Sequence, residues 1–150
     1  MNKALTSLLL AALVGFVAPL QAQEDSGKTR KKSPVKVEME KLDESLDAVA
    51  AFLEKPAGAA PMQQVAAAQA ALQEAKKHPP RTLEQQPEEK RAAFLAAYKV
   101  EMNKNLRLVL DLEDALLQKD WEAAKTAMAA IKKLKKSAHR TYKGRRRRRK

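Results

Sequence analysis

Six apolar residues, Val35, Met39, Leu42, Leu46, Val49 and Leu53, follow one another at spacings of 4, 3, 4, 3 and 4. That alternation holds them along one edge of an α-helix, whereas a strand of period two would scatter them over both faces. A seam of this kind buries itself against other helices, so the feature predicts a helical bundle. Ser33-Pro34 marks its start, with a hydroxyl at the cap and a proline where no backbone N–H is needed. Pro56 and Gly58 end it.

Three further helices are expected. Residues 62–77 are mostly alanine, with Val65 and Leu72 as the larger apolar groups, and form the thinnest wall. Pro79-Pro80 stops that helix, and the stretch to Pro87 reads as a surface loop. Pro87-Glu88-Glu89 opens a third helix with acids in its first turn, where the helix dipole favours them. It runs to about residue 118. Leu95, Tyr98, Met102, Leu106, Val109, Leu112 and Leu116 form its inward stripe, widened by Phe94, Leu110 and Leu117. Asp120 is placed to cap a fourth helix, which carries Trp121, Ala124, Met128, Ile131, Ala138 and Tyr142 on one face and ends near Gly144. No strand pattern or internal repeat is present. Short connections between helices one and two, and between three and four, predict an all-α, antiparallel up-down-up-down four-helix bundle over residues 35–143.

The flanks differ from this domain. Asn2-Lys3, an apolar run from Ala4 to Val17 and the small residues up to Ala22 have the layout of a cleaved secretory signal, residues 1–22. The run is short for a membrane anchor. Residues 23–34 are polar and aperiodic, a flexible linker. The formal charge of +12 suggests a polyanion binder until it is mapped. Lys143 and residues 145–150 supply 7 positive charges, while residues 35–142 hold 18 Lys/Arg against 16 Asp/Glu. The excess therefore belongs to the flanks, and residues 144–150 read as a disordered polybasic tail. In an exported protein, Arg145, Arg146, Arg147, Arg148, Arg149 and Lys150 suit weak contact with an anionic membrane surface or another polyanion better than nucleic acid. The absence of cysteine excludes disulfides, thioether-linked haem, iron–sulfur ligation and a lipid-modified cysteine.

The chain has two histidines. His78, beside Pro79, reads as a solvated loop residue. His139 lies on the shoulder of the apolar face of helix four, a position more often packed than ligating. Met39 occupies a seam position, where methionine is usually core. Met39 lies five residues after Pro34, and His139 five before Gly144, so in an antiparallel bundle both reach about the same depth, roughly 7–8 Å from one end. A thioether facing an imidazole is a known axial pair for haem iron. Spacing leaves haem ligation and plain core packing both open.

The segment Val35-Lys36-Val37-Glu38-Met39-Glu40-Lys41-Leu42-Asp43-Glu44-Ser45-Leu46 resembles the first helix of the soluble cytochrome b562 family of bacterial periplasmic electron carriers. Leu134-Lys135-Lys136-Ser137-Ala138-His139-Arg140-Thr141-Tyr142-Lys143 resembles that family's last helix. Ala70-Ala71-Leu72, Lys76, Pro79-Pro80 and Leu83-Glu84 are similar to its middle, and Phe94 and Tyr98 repeat an aromatic pair near the haem pocket. The resemblance implies one non-covalent haem b per chain, with Met39 and His139 as its iron ligands. It also implies a periplasmic location, unidentified redox partner proteins and no enzymatic activity. The family's arginine one turn before its ligand histidine is Lys135 here, whose ammonium either meets a haem propionate or reaches out to solvent. The alternative is a haem-free secreted helical adaptor that uses its basic tail.

Overall fold

The computed structural model describes residues 32–143. The expected leader, the linker up to residue 31 and the basic tail with Gly144 lie outside the described residues. Four α-helices, α1 (Pro34–Glu54), α2 (Met62–Lys77), α3 (Glu88–Leu117) and α4 (Trp121–Tyr142), make an all-α fold, and no strand occurs among the described residues. α1 packs on α2, α2 on α3, α3 on α4 and α4 on α1, the last being the sparsest of these four seams. No helix among the described residues is long and apolar enough to cross a membrane.

The α1 seam is buried at Leu42, Leu46, Val49 and Leu53, while Met39 is half-buried against the same core. Fully burying a side chain of this size contributes about 1.5–3 kcal/mol. Ser33 makes no side-chain cap; its carbonyl accepts from the amides of Lys36 (2.9 Å) and Val37 (3.1 Å) instead. α2 buries Val65, Ala68, Ala71, Leu72 and Ala75. Its alanines carry no side chain beyond Cβ, which lets α1 and α3 come close on either side.

α3 buries Tyr98, Met102, Asn105, Val109, Leu112, Ala115 and Leu116. Leu110 and Leu117, expected to widen this stripe, are exposed, Leu117 at 63%. At 100° per residue the two lie about 100–120° round the helix from Tyr98, outside the core arc. Asn105, which no apolar pattern marks, takes a core position, and its Oδ1 has no hydrogen-bond partner among the described residues. α3 ends in a left-handed residue, Lys119 (φ 57°), with the amides of Lys119 and Asp120 bonding back to the carbonyls of Leu116 (3.2 Å) and Ala115 (2.9 Å). That is a Schellman stop built on lysine instead of glycine. Asp120 then caps α4, its Oδ1 accepting from the Ala123 amide at 2.9 Å, as expected from the sequence.

The stretch between Pro79 and Pro87 is more than a surface loop. It contains a 3₁₀ helix (Arg81–Gln85) in which Thr82 is buried, and Pro80 before it is buried too. The Thr82 hydroxyl donates to the Tyr142 carbonyl at 3.1 Å, tying this segment to the last turn of α4.

Candidate functional site

α4 is the most strongly amphipathic helix, and its inward shoulder carries Lys135 and His139, four residues apart and so one turn apart. α1 carries Met39 and Asp43 with the same spacing. The Lys135 ammonium donates to the Asp43 carboxylate, joining α4 to α1 across the sparsest seam. Both partners are partly exposed, with Lys135 the more buried at 25%. Met39 stands one turn before the acid of this pair on α1, and His139 one turn after its base on α4. Toward the other end of the same seam, Phe52 of α1 meets Trp121 of α4 edge-on, ring centroids 5.6 Å apart.

His139 is half-buried. Burial holds its imidazole below the usual histidine range, the cations Lys143 and Lys135 push it further down, and Asp43 opposes them. The ring is therefore mainly neutral at pH 7, with a nitrogen lone pair free to bind a metal or accept a proton.

Aromatic side chains gather at the same end of α4. Tyr142 packs against Phe94 at 5.2 Å and edge-on against Tyr98 at 5.3 Å, so the two expected aromatic residues meet through a third. Tyr98 is 1% exposed, and its hydroxyl donates to the Ala75 carbonyl at 3.0 Å. Burial pushes its phenol up to about 12, so it stays protonated and apolar in character at neutral pH. Phe94 is half-buried at the rim.

A haem held by two protein ligands requires one soft and one nitrogen donor on facing elements, a seam that is not already filled, and apolar walls. Met39 and neutral His139 are a soft and a nitrogen donor on facing helices, the α1–α4 seam between them is the least closely packed of the four, and Tyr98, Tyr142 and Phe94 are apolar surface at that end of α4. The residues present fit the group. Two open surface grooves lie elsewhere. One of about 520 Å³ between α1 and α2 is lined by Glu38, Glu44, Glu74 and Ala70 among others. One of about 210 Å³ on the α1–α4 seam is lined by Leu53, Met128 and Lys132 among others, and neither includes Met39 or His139. Of the residues to which sequence reasoning gave no part in the site, Asp43 and Tyr142 matter most here, Tyr142 having been placed only on the apolar face of the fourth helix. Asp43 reads as one more surface acid until Lys135, 92 positions later, is brought against it. Comparison with known proteins finds no matching family model, no matching curated protein and no matching solved structure.

Proposed function

We propose that this protein is a one-electron carrier of the bacterial periplasm, holding a single non-covalent b-type haem between α1 and α4, with Met39 and His139 as axial ligands. The observation that carries the reading is the Lys135–Asp43 pair, which registers α1 against α4 so that Met39 and His139 flank it by one turn each. In this reading the domain is an antiparallel up-down-up-down bundle of the soluble cytochrome b562 kind. The cross-helix pairs support that arrangement. Phe52 meets Trp121 and Asp43 meets Lys135, so position falls along α1 as it rises along α4. Likewise Gln69 bonds Glu113 at 2.6 Å and Lys76 bonds Asn103 at 3.0 Å, the same reversed order between α2 and α3.

The chemistry the haem supplies when bound is one-electron exchange between ferric and ferrous iron, with a thioether ligand favouring the ferrous state. The chain's own residues do the rest. His139 offers its nitrogen without first losing a proton, because burial and the neighbouring lysines already keep it neutral. Met39 offers a flexible thioether from a half-buried seam position, able to adjust without breaking the core behind it. Tyr98, fixed through Ala75, and Tyr142 exclude water from that end of the domain. Lys135 holds α4 to α1 through Asp43, and a propionate near the mouth would compete with Asp43 for the ammonium. Met39 and His139 would both hold the iron, which suits a carrier of electrons better than a site that must bind substrate.

The test is the visible spectrum of the purified protein supplied with haem, oxidised and then reduced. The reading requires a low-spin spectrum whose bands sharpen on reduction. A protein that stays colourless would point to the haem-free adaptor instead, and one that binds haem only in a high-spin state would overturn the assignment of both ligands.

A further inference from the structure

The charge of the described residues is unevenly shared. α1 holds two cations against six carboxylates, while α4 holds six cations against one carboxylate. Two of the α4 cations are engaged, Lys125 with Glu122 at 3.0 Å and Lys135 with Asp43. The remaining four, Lys132, Lys133, Lys136 and Arg140, together with Lys143 at the C-cap, are all exposed. None of these five has a carboxylate within 4 Å among the described residues. At 100° per residue they fall within an arc of about 100° and run for roughly 16 Å along the helix. The sequence then continues into Arg145 and the cations after it. A few cations at a helix C-terminus satisfy the dipole, but that effect is confined to the last turn. Lys132 and Lys133 lie more than two turns from the end of α4.

We infer that this stripe is a docking surface for an anionic lipid bilayer, so that the domain lies on the membrane along α4. The side chains that border the stripe, Ala129 before it and Ser137 and Thr141 along one flank, are small and exposed, and the two aromatic residues of α4 turn inward to Phe52, Phe94 and Tyr98. The face thus has no aromatic anchor of the kind that dominates protein–protein interfaces, and none on which a single-stranded base would stack. It also has no apolar wedge to insert into acyl chains. What remains is a narrow line of point charges, matched to a fluid, laterally adjustable layer of anionic head groups. The choice of lipid over duplex phosphate rests on the leader-like first 22 residues. The stripe itself is independent of haem.

The experiment is co-sedimentation of the full chain with phosphatidylglycerol/phosphatidylcholine vesicles and with phosphatidylcholine vesicles, at low and high salt. The quadruple variant Lys132→Gln, Lys133→Gln, Lys136→Gln and Arg140→Gln keeps the tail. A control of equal charge changes Lys90, Lys99, Lys104 and Arg107 of α3 to Gln. The stripe variant should lose roughly a hundredfold or more in partitioning to anionic vesicles, and the control less than about tenfold. High salt should release the wild type, and phosphatidylcholine should not hold it. A second measurement uses the unaltered chain: vesicles should shield Lys132, Lys133 and Lys136 from amine acetylation while Lys99 and Lys104 stay reactive. The proposal is overturned if the stripe variant binds like the wild type, if the control loses as much, or if the α3 lysines are shielded equally. Tighter binding to a DNA duplex than to anionic vesicles at equal salt would overturn the lipid assignment.

Discussion

The two sides of this bundle are built on different terms. On the α2 side, alanines bring helices close around an apolar core, with the Gln69–Glu113 and Lys76–Asn103 bonds at its partly buried edge and a buried tyrosine whose hydroxyl donates to the Ala75 carbonyl. On the α1–α4 side the helices approach least, and their contacts include a half-exposed ion pair and one aromatic edge. A close-packed side cannot admit a ligand without losing its own contacts, whereas a sparse seam can, because little packing is lost when it opens. The difference assigns stability mainly to α2 and α3, and it is why the proposed haem site falls between α1 and α4.

The largest expected effect lies on the close-packed side. Leu72 is 1% exposed, and Leu72→Ala should cost about 2–5 kcal/mol in chemical denaturation, the range for leucine truncation in a core that only partly collapses. An unchanged midpoint would show that α2 is not the frame. Tyr98→Phe keeps the ring and removes the hydroxyl's bond to the Ala75 carbonyl, which retains the His78 amide as a donor at 3.2 Å, and should cost about 1 kcal/mol or less.

The seam should respond more weakly. Asp43→Asn removes the charge opposite Lys135, but both side chains are partly exposed, so the cost should be about 0–1 kcal/mol and shrink in salt. A loss as large as that of Leu72→Ala would contradict the idea of a lightly held seam.

The smallest effect is that of pH. His139 titrates below its ordinary value in the fold, so the unfolded chain takes up the proton first as pH falls. Its contribution is therefore present above about pH 6.5 and lost as pH drops through the lowered folded value. The melting temperature should decline from pH 7 toward 5, and His139→Gln should flatten that part of the curve. The hydrogen-bonded carboxylates Glu40 and Glu74, both held below their ordinary value by lysines, act in a separate window beginning near pH 4.5. A decline between pH 7 and 5 of equal size in His139→Gln would remove His139 as its source.

Much of the close-packed side was legible in the sequence, because it depends on local periodicity. The spacing from Leu42 to Leu53, the alanines of α2, and Asp120 before Trp121 all carry their structure within a turn or two. Leu110 and Leu117 were misjudged because a leucine 100° off the core arc looks apolar whether or not anything covers it. Lys119 in the left-handed region was hidden because glycine is the usual signal there. The seam was less legible for a different reason. Lys135 with Asp43, and Thr82 with the Tyr142 carbonyl, are contacts between residues 92 and 60 positions apart, which no local pattern encodes. Met39 and His139 stood out through their matched distances from one end of the bundle and through the resemblance of the two segments that carry them, not through any contact that a local pattern encodes.

Haem titration of the wild type, His139→Ala and Met39→Ala tests whether the α1–α4 seam binds haem through those two residues. A low-spin complex is expected for the wild type, with loss of most affinity in His139→Ala. Met39→Ala should retain haem in a high-spin state with a lower reduction potential, because the sulfur that favoured ferrous iron is gone. Identical affinity and spectra in the wild type and both variants would contradict that ligation.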